Sequence, residues 1–191
     1  MILQVEAQKI YTLEDYLDFE VNSPERHEYI NGEIRPMTGG TPNHNQIAGN
    51  LYATLNFSLK RQPYRVFVTD QRLWIPEKRL YTYPDIMVVQ GEIQLQEGRK
   101  DTITNPLIIA EVLSASTRNY DKDEKFAAYR TLPTFQEYLL IDQYTIHIEH
   151  YYKTDEKHWI FVEYNNSNET LVLNSISFEI VIADLYDKVE F

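Results

Sequence analysis

Apolar and polar positions along this chain switch between a helical and a strand-like period, and the switches mark out its elements. Thr12-Leu13-Glu14-Asp15 opens a first helix, with Thr12 as cap and Asp15 completing a capping box; the helix ends before Pro24. His27–Ile30 and Glu33–Met37 flank Asn31-Gly32, the dipeptide favoured where both central turn positions need a positive φ, and this spells a tight hairpin. A loop through Gly39-Gly40-Thr41-Pro42 leads to a helix from about His44 to Arg61, whose Ile47, Leu51, Leu55 and Leu59 recur at helical spacing. After Pro63, Tyr64–Thr69 and Leu73-Trp74-Ile75 read as one strand, bent near Asp70-Gln71.

Two short β-branched runs follow, each introduced by a proline: Tyr83-Pro84-Asp85-Ile86-Met87-Val88-Val89 and Pro106-Leu107-Ile108-Ile109-Ala110-Glu111-Val112-Leu113. Both have the look of core strands. The polar stretch from Gln90 to Thr104 between them has no clear period and room for a short helical turn. A helix is expected from Tyr120 to Thr131, capped by Asn119 or Asp121 and stopped by Pro133. Then come the strand Glu137–Ile141, the alternation Thr145–Tyr151, the run Trp159–Val162 and a loop at Asn165–Asn168, which together suggest antiparallel pairing.

With 191 residues, no cysteine and 43% hydrophobic residues, the chain suits one globular domain over 1–191. The missing cysteines exclude disulfides and thiolate metal sites and fit a reducing compartment. Met1–Lys9 lacks a basic region followed by a long apolar one, and no apolar run approaches the ~18 residues of a membrane span, so the expected place is cytoplasmic, with no membrane contact. A formal charge of −11 excludes a broadly basic surface, so any nucleic-acid role has to rest on a local basic groove or a bound divalent ion. Fifteen tyrosines suit sheet packing or an extended interface.

Asp85 and Glu111 are the chemically informative positions. An ionised carboxylate in an apolar strand carries a large desolvation cost unless a cation or a hydrogen-bond network offsets it. Metal ligation is one such offset. An Asx turn at Asp85 and a structural salt bridge at Glu111 are the plainer readings.

The order of these elements, with Asp at the head of one strand and Glu inside the next, resembles the PD-(D/E)xK nuclease superfamily, and within it the Uma-type family of restriction-endonuclease-like proteins. The resemblance rests on Glu28–Glu33, His44-Asn45-Gln46, Tyr83–Ile86, Ala110–Thr117, Asp121–Phe126 and Tyr138–Asp142, which together span most of the chain. It implies an α/β fold: a restriction-endonuclease-like αβββαβ core with a mixed central sheet, flanking helices and extra β-hairpins. Leu113 stands where the superfamily carries its lysine. In this family the lysine has moved to the following helix, which makes Lys125 the match and Lys122 the lesser candidate; Lys125 shares a helix face with Asp121.

The resemblance further implies Mg²⁺ (or Mn²⁺) held by Asp85, Glu111 and the backbone carbonyl of Val112, with open positions for water and phosphate. Lys125 would orient or deprotonate the attacking water; acting as base would require a lowered pKa. Glu33 would add a water-mediated ligand or hold a second metal. His44 would bind phosphate or protonate the leaving oxygen, its imidazole kept neutral by the helix N-terminus. The substrate implied is DNA, and cutting both strands is most simply done by a homodimer. Without the resemblance, Lys125 is a solvated helix lysine, Glu33 a cross-strand partner, His44 a helix-start residue and Asp121 a helix cap. His27, His147, His150 and His158 read as structural, His147 and His150 facing opposite sides of one strand. Two rival functions remain: a nuclease scaffold kept as a binding or assembly module without turnover, and a carboxylate-pair glycosidase, which needs no lysine.

Overall fold

The two apolar runs that carry Asp85 and Glu111 are neighbours in the middle of a six-stranded sheet. The computed structural model describes residues 9–115 and 117–191; the leader reading of residues 1–8, and Ser116 of the family motif, lie outside them. In chain order come α1 (Leu13–Asn22), β1 (His27–Ile30), β2 (Glu33–Pro36), α2 (Pro42–Ser58), β3 (Tyr64–Val68), β4 (Arg72–Ile75), β5 (Leu80–Thr82) and β6 (Ile86–Gln90). Next are β7 (Thr102–Ile103) and β8 (Ile108–Leu113), followed by a helix built of α3 (Arg118–Tyr120), a π-helical turn (Asp121–Lys125) and α4 (Phe126–Tyr129). The chain then forms β9 (Glu137–Asp142), β10 (Ile148–Lys153), β11 (Trp159–Tyr164), β12 (Thr170–Leu173), β13 (Phe178–Val181) and α5 (Ile182–Leu185).

The central sheet runs β11-β10-β9-β8-β6-β3, and only β8 and β9 are parallel. A parallel neighbour demands a crossover, and the helix after β8 supplies it. The path α2, β3, β6, β8, helix, β9 is thus the αβββαβ order. Alternation within each strand splits the core between two faces. On one, Ile86, Val88, Ile108, Ala110 and Val112 pack under α2 and the β12–β13 hairpin. On the other, Met87, Val89, Ile109 and Leu113 meet Ala128 and Tyr129 of α4 and a second sheet, β2-β1-β5-β4-β7, through Leu73, Ile75 and Leu80. Beneath α1, Tyr16, Tyr29 and Tyr81 form a third cluster, with the Tyr16 and Tyr81 rings 5.0 Å apart.

The capping box of α1 forms as expected, Thr12 Oγ1 accepting from the Asp15 N–H at 3.1 Å. The hairpin turns at Asn31 (φ 49°) and Gly32 (φ 101°). A Cβ on Gly32 would also approach Ile10 Cγ2 to 2.7 Å, so Gly32→Ala is expected to cost about 1 kcal/mol or more in a urea melt.

The expected single strand over residues 64–75 is two strands in different sheets. Thr69 takes a left-handed φ of 53°, its N–H donates to the Asp85 carbonyl at 2.9 Å, and the chain crosses from β3 into β4. A β-branched residue held in that region is strained, and here the strain abuts the Asp85 strand. The stretch between Gln90 and Thr104 holds β7 and a bridge from Leu95 to Ile103 rather than a helical turn. The strand expected from Thr145 starts at Ile148, which leaves His147 outside it, bonded to Asn165 at 2.7 Å.

Candidate active site

The β6–β8 ladder ends at Ile86 opposite Ala110, and the next rung would pair Asp85 with Glu111. Side chains replace that rung. The Asp85 N–H donates to Glu111 Oε2 at 3.2 Å, and the Val112 N–H donates to Asp85 Oδ2 at 2.7 Å. Each strand end therefore holds the other's carboxylate. Glu111 alternates with Ile109 and Leu113, so it points into the layer covered by the helix after β8.

That helix delivers the cation. Lys125 is buried, its Nζ 3.3 Å from Glu111 Oε1, 3.3 Å from Glu28 Oε1 and 3.0 Å from Asp121 Oδ1. One turn on, the Tyr129 hydroxyl donates to Glu111 Oε1 at 2.7 Å. The π winding of Asp121–Lys125 is the wide turn that recurs at functional sites, and the Tyr138 hydroxyl donates to the Asp121 carbonyl at 3.0 Å. Arg118 pairs with Asp142 and Lys122 with Glu149, which tie the outer side of the helix to β9 and β10. Lys122 thus faces away from the acids, and Lys125 is the lysine among them.

His44 sits in the first turn of α2, which Thr41 caps and Pro42 enters. Its Nε2 lies 3.1 Å from Asp85 Oδ2. Gly40 makes room for the ring, since a Cβ there would fall 2.7 Å from His44 Nδ1. Burial draws the imidazole pKa down, but the bond to Asp85 and its charge outweigh this and the net shift is upward. The shift runs against the helix N-terminus, because the adjacent carboxylate is nearer and carries a full charge.

Glu33 does not share the cluster. It lies at the hairpin turn opposite Ile30, and its Oε2 takes Arg35 at 2.7 Å. The hairpin acid beside Lys125 is Glu28, buried and bonded by the Thr82 hydroxyl. Asp121 is not a cap either: it is buried inside the winding, and Thr117 occupies the N-cap position. Glu28 and Tyr129 were the residues sequence reasoning missed. Both were signalled, Glu28 by sharing a hairpin face with Ile30 and Tyr129 by following Lys125 at i+4.

Three carboxylates, Glu28, Glu111 and Asp121, thus surround one buried ammonium, and Asp85 joins them through its N–H bond to Glu111. Burial pulls Lys125 down, yet Glu111 and Glu28 outweigh it and hold its pKa well above the ordinary value. Burial pushes Glu111 up to about 8, with Asp85 and Asp121 adding to the rise against Lys125. The cluster is short of positive charge. A divalent cation fits it: the donors are carboxylate oxygens, and Asp121 Oδ1 is buried near Lys125 but without hydrogen-bond alignment. Among the described residues, Asp85 Oδ1 accepts no hydrogen bond, whereas no three His, Asp or Glu side chains stand in ready ligand geometry. Mg²⁺ suits such a half-open set, because it takes one or two carboxylates and keeps several waters.

The raised Glu111 value has a sign. The folded protein keeps a proton that the unfolded chain gives up above about 4.5, so this contribution is full below 4.5 and is lost as pH rises through about 8. In chelator, the melting temperature is expected to fall by several degrees from pH 5.5 to 8.5, and Glu111→Gln to flatten that slope. Lys125 does not titrate in this window.

The sequence profile of Uma2, described as "Putative restriction endonuclease", matches residues 13–183, from the start of α1 into α5. The chain belongs to the Uma2 family. Two proteins of Synechocystis sp. (strain ATCC 27184 / PCC 6803 / Kazusa) are similar along nearly their whole length. The protein sll1609 is 42% identical over 167 residues, covering 87% of this chain and 94% of the relative; slr1290 is 33% identical over 180 residues, covering 93% and 92%. The crystal structure of a putative nuclease belonging to DUF820 from Anabaena variabilis ATCC 29413 superposes with a TM-score of 0.74 at 20% identity, over 92% of this chain and 97% of that one. At that identity the likeness speaks for the fold, which is restriction-endonuclease-like. Among the described residues of this Uma2 member no helix is long and apolar enough to cross a membrane.

Proposed function

We propose that this Uma2 protein is an endodeoxyribonuclease that hydrolyses phosphodiester bonds with a divalent ion, Mg²⁺ or Mn²⁺, held between Asp85 and Glu111. The observation that carries the reading is the reciprocal lock at the β6–β8 ends, which brings both carboxylates to one place beside a buried lysine. Asp85 Oδ1 and Glu111 Oε2 are the oxygens left to a cation. An extended residue presents its N–H and C=O to the same neighbour, so the Val112 carbonyl, like its N–H, faces the Asp85 side and completes the donor set. Bound there, the ion would neutralise charge on the phosphoryl oxygens and make an attacking water more acidic.

The remaining groups have assignable work. Lys125 is an ammonium at any working pH, so it offsets phosphate charge and orients water rather than abstracting a proton. His44 holds Asp85 Oδ2 and leaves Oδ1 to face the ion. Glu28 anchors Lys125 from the hairpin. With a net charge of −11, the bound ion and Lys125 would carry much of the attraction for the scissile phosphate. A twofold dimer would set two such sites against the two strands of a duplex.

The direct test is cleavage of supercoiled plasmid by purified protein. Nicking is expected with Mg²⁺ or Mn²⁺, to stop on adding chelator and to resume when the ion is restored. Cleavage that is unaffected by chelator would contradict the proposal and turn attention to metal-free hydrolysis by the acids.

A further inference from the structure

The two oxygens of Glu111 are held unequally. Oε2 receives the Asp85 N–H at 3.2 Å, whereas Oε1 takes both the Tyr129 hydroxyl at 2.7 Å and the Lys125 ammonium at 3.3 Å. Tyr129 and Lys125 are one helical turn apart and grip the same atom, but they differ in charge. Tyr129 is fully buried and its hydroxyl donates to Glu111, so it is a neutral partner. It fixes the carboxylate without opposing a cation. Lys125 fixes it too, but brings a full positive charge to one oxygen of a carboxylate whose other oxygen a dication would take, and like charges so close in a poorly screened site repel strongly.

We propose that Lys125 is the resident counter-cation of the carboxylate cluster, which an incoming divalent ion has to displace from Glu111, and that Tyr129 is the positioning residue that keeps Glu111 aimed at Asp85 when it does. The inference rests on reading the cluster as a metal-dependent nuclease site. A displaced Lys125 is not stranded: Asp121 at 3.0 Å and Glu28 at 3.3 Å are still its partners, and the Tyr120 ring lies 5.5 Å away. It stays at the edge of the site as an ammonium, where a phosphate would meet it.

The two residues have opposite signs for metal binding, and that is what the experiment reads. Mn²⁺ is titrated calorimetrically into wild type, Tyr129→Phe, Lys125→Met and Lys125→Gln, with plasmid cleavage followed in parallel. Tyr129→Phe is expected to bind Mn²⁺ about ten to a hundredfold more weakly, as loss of an outer partner of a ligand does. Both Lys125 variants are expected to bind it about tenfold more tightly while losing cleavage. Where Lys125→Met does not fold, Lys125→Gln, which keeps hydrogen bonding to the acids without the charge, reads the same sign. General loosening of the helix would weaken binding in every variant, so equal or weaker Mn²⁺ binding without Lys125, or unchanged binding in Tyr129→Phe, overturns the inference. If wild type binds Mn²⁺ through Asp85 and Glu111 and cuts DNA in that case, the nuclease reading stands alone. Absence of Mn²⁺ binding in wild type and all variants removes both.

Discussion

Asp85→Asn and Glu111→Gln are each expected to lower metal-dependent DNA cleavage roughly a thousandfold or more while leaving the fold intact. The separation of the two effects follows from what each carboxylate does for the chain. An Asn at 85 still accepts the Val112 N–H, and a Gln at 111 can keep its one oxygen on the Asp85 N–H while its NH2 donates to the Tyr129 hydroxyl oxygen, so the lock between β6 and β8 survives. What is lost is the negative charge that would hold a cation. In Glu111→Gln that loss also removes a charge whose burial is unfavourable, so the variant should melt no lower than wild type in chelator and higher than wild type above pH 8. Circular dichroism melts beside plasmid assays check both halves. Cleavage that persists in both variants would sink the assignment of the site.

The second large effect is on stability. Lys125→Met leaves Glu28, Glu111 and Asp121 without the cation they share, and breaking a buried ion pair from one side typically costs about 3–5 kcal/mol. For a chain of this size that is a melting temperature lower by roughly 6–20 °C in chelator. Adding Glu111→Gln to Lys125→Met removes one of the three acids, so above pH 8 the double variant should be more stable than Lys125→Met alone. Saturating Mn²⁺ should return much of the lost stability, since a bound ion replaces the missing charge and ligand binding stabilises the folded state. Additive losses in the double variant would mean that Lys125 supports the fold independently of Glu111.

The sequence was legible where local chemistry and the fold agree. Thr12 with Asp15, Asn31 with Gly32, and the stripe from Ile47 to Leu59 each specify an element without help from elsewhere, and each is present. The pairing of the Asp85 and Glu111 runs was also readable, because an acid in a β-branched core strand has few inexpensive explanations. The departures come from contacts distant in sequence. Nothing near Thr69 announces that its N–H will be taken by the Asp85 carbonyl and the chain turned into another sheet. Glu33 and Glu28 have the same local setting on one hairpin, and only the placement of β1 beside β5 sends Glu28 to Thr82 and Lys125. His44 shows the same limit: its helix position argues for a lowered pKa, but Asp85, distant in sequence, turns the shift upward.

The most direct test is a crystal soaked in Mn²⁺ and measured at a wavelength where manganese scatters anomalously. The account predicts an anomalous peak at about 2.0–2.2 Å from oxygens of both Asp85 and Glu111, with Lys125 turned off Glu111 Oε1. A peak bound by one of the two carboxylates alone, or no peak at these strand ends at saturating Mn²⁺, would contradict it.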